Sequence, residues 1–112
     1  MTARKLKTAG AVALAALLVA LVTAAALASS RATVNVSAKD NFFDPTKVKI
    51  GKGDKVTWTN DGGVDHTVKF KGQKDKVIAP GATTSKKFKK TGRFPYHCTI
   101  HAGMDGKVVV KD

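Results

Sequence analysis

"GRFPYHCTIHAGMDGKVVV", Gly92 to Val110, is two runs of alternating residues with a loop of soft and nitrogen-bearing side chains between them. Successive side chains of a strand point to opposite faces, so Phe94, Tyr96 and Cys98 share one face of the first run. Val108 and Val110 share one face of the second. The loop between them holds the single cysteine, Cys98, the histidine His101 and Met104. Strand, short ligand-rich loop and strand is an all-β element, and the rest of the chain is read from it.

Outward from this segment the same pattern repeats. "ATVNVSA" alternates with Val34 and Val36 on one face, and "KVKI" sets Val48 and Ile50 against lysines. "KVTWTN" puts Val56 and Trp58 inward, "HTVKF" puts His66, Val68 and Phe70 together, and "TSKKFKK" has Phe88 as its inward anchor. Between these runs, "NFFDPT" reads as a bend in which Pro45 ends any ladder, and "GKGD", "DGG" and Pro80-Gly81 read as turns. Short strands at regular, turn-bounded spacing predict seven to eight strands in a two-sheet β-sandwich. The expected core is Val34, Val36, Val48, Ile50, Val56, Trp58, Val68, Phe88, Val108 and Val110.

The N-terminus is of another kind. Arg4, Lys5 and Lys7 precede an uncharged apolar stretch, residues 9–28, that ends in Ala26-Leu27-Ala28. These are the parts of a secretory signal, and the stretch is also long enough to span a bilayer as an uncleaved anchor. Residues 1–28 are therefore expected to be a signal peptide or a membrane anchor, and residues 29–112 a single exported domain. Both readings put that domain outside the cytoplasm, periplasmic or on the extracytoplasmic face of the membrane. Cys98 has no disulfide partner within the chain, so in an oxidising compartment it must be buried, paired between chains or occupied by a ligand.

Without Arg4, Lys5 and Lys7 the chain keeps 17 basic and 8 acidic residues, a net charge of +9. Such a surface suits solubility, an acidic protein partner or anionic lipid. Nucleic acid is a poor fit for an exported chain with few aromatics to stack on bases.

Cys98, His101 and Met104 are spaced C-x2-H-x2-M. A metal site needs a fourth group, and His66 is the histidine left once His97 is set aside. His97 precedes Cys98 on a strand, so its side chain points to the opposite face. Two imidazoles, a thiolate and a thioether are soft enough to favour copper, and His2Cys with a distant axial methionine is the blue-copper donor set. Zinc makes poor use of a thioether.

"GDKVTWTND", "DHTVKF" and "GRFPYHCTIHAGMDGKVVV" together resemble the cupredoxin, or blue copper protein, family of the amicyanin/plastocyanin kind with a short ligand loop. The likeness runs from about Thr33 to Lys111. It implies a Greek-key sandwich holding one type 1 copper that cycles between Cu(I) and Cu(II). Carried over, the metal ligands are His66, Cys98, His101 and Met104. It further implies that His101 is the surface electron port, with Ala102, Gly103 and Pro80 at its rim. Thr67 stands where better-known members have asparagine; its hydroxyl is expected to reach Thr99 and its N–H to approach the thiolate. Asp65, directly before His66, is expected to favour Cu(II) and lower the potential.

The expected function is one-electron transfer between redox partners outside the cytoplasm, with an acidic cytochrome, oxidase or dehydrogenase as partner. The protein is expected to be a monomer, not an enzyme, with a membrane tether through residues 9–28 as an option. The alternative is copper storage or delivery by the same ligands.

Overall fold

A computed structural model of the chain describes residues 31–112. The signal or anchor expected for residues 1–28 lies outside the described residues. Among the described residues there are nine strands and no helix: β1 (Thr33–Ala38), β2 (Phe43–Asp44), β3 (Lys47–Gly51), β4 (Lys55–Asn60), β5 (His66–Phe70), β6 (Lys76–Ile78), β7 (Thr83–Lys87), β8 (Gly92–His97) and β9 (Asp105–Lys111). They form a four-stranded sheet in the order β2-β1-β4-β7 and a five-stranded sheet in the order β3-β9-β8-β5-β6. The β1–β4 and β3–β9 pairs are parallel and the others antiparallel. The chain crosses repeatedly between sheets, as a Greek-key sandwich requires.

The ninth strand is the two-residue β2, in the segment the sequence reads as a bend. Ser37 and Ala38 of β1 pair with Asp44 and Phe43, and this short rung turns Phe43 fully into the core. β1, β3, β4, β5, β8 and β9 fall where alternation predicts them; β6 is a three-residue rung against β5, and Phe88, expected as a strand's inward anchor, is buried just past the end of β7.

Nine of the ten expected core residues are buried. Val34 is the exception: near the open end of β1 it is only half-buried and packs against the core's edge. Ala38, Phe43, Phe70, Ile78, Tyr96, Cys98 and Met104 complete the interior. Tyr96 stacks edge-on to Phe43 and Trp58, with ring centroids 4.8 and 5.3 Å apart. Its ring fits because Gly106 opposite has no side chain; a Cβ there would overlap it.

Candidate metal centre

β8 and β9 are an antiparallel hairpin, with His97 opposite Asp105, and the connecting residues 98–104 are the ligand-rich loop. The loop closes on itself: Cys98 N–H donates to Met104 O at 2.9 Å, and Met104 N–H to His101 O at 3.5 Å. Gly103 makes the turn with φ of +76°, a conformation that side-chain-bearing residues rarely adopt. The sequence thus needs only a hairpin and one glycine to set Cys98, His101 and Met104 on one short arc. Cys98 and Met104 are buried and His101 is half-buried.

His66 arrives from β5, beside β8 in the same sheet, and is fully buried. Its Nδ1 lies 3.9 Å from Cys98 Sγ, and His101 Nδ1 lies 3.6 Å from the same sulfur. The ligand atoms of His66, Cys98 and His101 all fall within 4.8 Å of one another. A single first-row ion with bonds to nitrogen and sulfur of about 2.0–2.3 Å spans such separations. Both imidazoles turn the same nitrogen toward the sulfur, and their ring centroids are 4.9 Å apart. His97 is exposed on the other face, as strand alternation requires.

The support around the sulfur is explicit. Thr67 N–H points at Cys98 Sγ from 3.4 Å. The Thr67 hydroxyl accepts from Thr99 N–H at 2.7 Å and shares a 2.9 Å bond with Thr99 Oγ1, which also reaches Asp75 Oδ2 at 2.9 Å. The register that pairs Lys69 with His97 and Phe70 with Tyr96, carried past the strand end, sets Thr67 opposite Thr99. Burial pushes the Cys98 thiol up, but the Thr67 N–H, the His101 and His66 rings and the Ile100 N–H together outweigh it and bring it down to about 6. The site is thus built for a thiolate.

Two elements of the site carry no sequence signal of their own. Asn60, at the end of β4, is buried and fully satisfied. Its Nδ2 donates to Val64 O and Ile78 O, both at 2.8 Å, and its Oδ1 accepts from Gly62 N–H at 2.9 Å. It shapes the loop that delivers His66. The carboxylate facing His66 belongs to Asp40, whose Oδ1 is 3.8 Å from Nε2; Asp40 and Asp65 are both exposed. Asn60 merely closes the alternating run "KVTWTN", and Asp40 meets His66 only through the fold.

The Cupredoxin-like domain family matches residues 10–110 of the chain. Chloroplastic plastocyanin of Tetradesmus obliquus is 35% identical over 103 residues, covering 77% of this chain and 71% of its own. Amicyanin-alpha of Methylorubrum extorquens is 41% identical over 81 residues, covering 66% of this chain and 67% of its own. Among solved structures, a methionine-to-alanine variant of amicyanin in its Cu(I) form superposes with a TM-score of 0.67 at 29% identity, over 70% of this chain and 82% of that one.

Proposed function

The chain belongs to the cupredoxin-like domain family, and from that premise we propose that it is a type 1 copper protein carrying single electrons between redox partners outside the cytoplasm. The observation that carries the reading is the convergence of His66 Nδ1, Cys98 Sγ and His101 Nδ1 within 4.8 Å, on a sulfur whose surroundings favour the thiolate. The donor set fits copper: thiolate and imidazole in one cluster, with Met104 buried on the same closed loop as the thioether. Bound copper supplies the one-electron Cu(I)/Cu(II) couple.

The chain's residues do the rest. His66, Cys98, His101 and Met104 hold the metal. Thr67 and Thr99 fix the sulfur between two strands, so the donors move little when the charge at the site changes. Asp65, exposed beside His66, adds negative charge that favours Cu(II). His101, half-buried between exposed Ile100 and Ala102, is the port through which a partner makes contact, with Gly103 and Pro80 at the rim. The net +9 of residues after the N-terminal segment steers an acidic redox protein such as a cytochrome, oxidase or dehydrogenase. Residues 29–112 form this carrier domain, and residues 1–28 export it or tether it.

Voltammetry of the copper-loaded protein tests carrier against storage. A carrier gives a reversible one-electron wave and keeps its copper through repeated cycles in the presence of a Cu(I) chelator. Loss of copper on first reduction supports delivery instead.

A further inference from the structure

His66 has two ring nitrogens, and the copper reading uses one. Nδ1 faces Cys98 Sγ; Nε2 turns the other way. The residue is fully buried, and Nε2 has no hydrogen-bond partner among the described residues. A buried N–H without an acceptor is costly, so an acceptor is expected within a small movement of it.

Asp40 is placed to be that acceptor. Its Oδ1 lies 3.8 Å from Nε2, about half an ångström beyond an ordinary hydrogen bond. The carboxylate is held on that side from two directions. The turn after β1 is closed by Lys39 N–H donating to Phe42 O at 2.9 Å, and Gly63 N–H donates to Asp40 Oδ1 itself at 2.8 Å. Between them stands Gly62. A Cβ at Gly62 would overlap Asp40 Oδ1 and come within 3.0 Å of His66 Nε2. The loop leaves a slot without a side chain where the carboxylate meets the imidazole, and Asn60 fixes that loop through the Gly62 N–H. The bland reading is a solvated surface aspartate, since the Asp40 side chain is 62% exposed. The anchored Oδ1, the slot and the unpartnered ring nitrogen favour a built contact.

We propose that Asp40 is the positioning residue of His66: its carboxylate accepts the Nε2 hydrogen, which fixes the ring with Nδ1 free as the donor atom. The proposal rests on the reading of His66 as a metal ligand. Partners of this kind orient ligating histidines and raise their basicity. The carboxylate charge, passed through the ring, favours the oxidised metal, so its loss raises the midpoint potential.

The test uses the full chain and the variants Asp40→Ala, Asp40→Asn and Asp65→Asn. In the metal-free protein, nitrogen-15 NMR of His66 reports which nitrogen carries the hydrogen and how fast it exchanges with water. The wild type should show a protected Nε2–H. Asp40→Ala should speed its exchange about tenfold or more, Asp40→Asn should restore much of the protection through its amide oxygen, and Asp65→Asn should leave it unchanged. In the copper-loaded protein Asp40→Asn should raise the potential while the visible band persists. Wild-type exchange in Asp40→Ala or a wild-type potential in Asp40→Asn overturns the proposal, as does an equal effect of Asp65→Asn on the Nε2–H exchange. A wild type that forms no thiolate–copper band overturns the ligand reading instead, and the metal-free exchange rates still decide whether Asp40 holds His66.

Discussion

Thr67 touches Cys98 and its neighbour at once: its N–H points at Sγ from 3.4 Å, and its hydroxyl accepts from Thr99 N–H at 2.7 Å. One residue of β5 therefore fixes both the sulfur and the chain leaving it. Thr67→Val keeps the N–H and the shape and removes the hydroxyl. Thr99 N–H then loses its acceptor, at a cost of about 1–2 kcal/mol. For a domain of this size each kcal/mol lowers Tm by about 4–8 °C. Thermal unfolding of the metal-free chain measures it, with Thr67→Ser expected to stay near wild type. An unchanged Tm in Thr67→Val would show the bridge to be idle.

The Cys98 thiol gives the metal-free protein a pH dependence with a definite sign. Its folded pKa of about 6 lies below the value of about 8.5 for an unfolded cysteine. A depressed folded value adds stability that is fully present above the unfolded pKa and is lost as pH falls through the folded one. Wild type should therefore gain stability over Cys98→Ser as pH rises from about 6 to about 8.5. Urea unfolding of both proteins across this window checks the difference, and ultraviolet thiolate absorbance locates the titration. A constant difference at all pH values would count against the thiolate.

Asn60 is the hinge of the β4–β5 loop. Asn60→Ala leaves Val64 O, Ile78 O and Gly62 N–H without their partner. The expected loss is about 3 kcal/mol, read as a lower urea midpoint. Asn60→Asp retains an acceptor for Gly62 N–H but turns a buried carboxylate oxygen toward the two carbonyls, and should lower the midpoint at least as far. Because this loop leads into His66, the variant should also bind Cu(II) more weakly in a competition titration.

The strands were legible because one face of each sheet is dry, so alternation in runs such as "KVTWTN" and "GKVVV" maps directly onto burial. The ligand loop was legible because three chemically distinctive residues lie on one hairpin. His66 was reached by elimination, as the histidine left after His97, and by the family resemblance, and the fold brings its Nδ1 to 3.9 Å from the sulfur. Phe43 was read as part of a bend because two residues are too few to show a period. Asn60 drew no notice because it merely closes the alternating run "KVTWTN", and its bonds to Gly62, Val64 and Ile78 form only once the loop has folded. Asp40 was missed because no local pattern links it to His66. Asp65 drew notice by adjacency to His66, whereas residues far apart in the chain, such as Asp40, can converge on it.

The most direct test of the whole account is the optical spectrum of the purified chain after addition of one equivalent of Cu(II), beside that of Cys98→Ser. The account predicts an intense visible thiolate-to-copper band in the wild type, absent from Cys98→Ser and still present in His97→Ala. A colourless wild-type complex, or a band that survives Cys98→Ser, would contradict it.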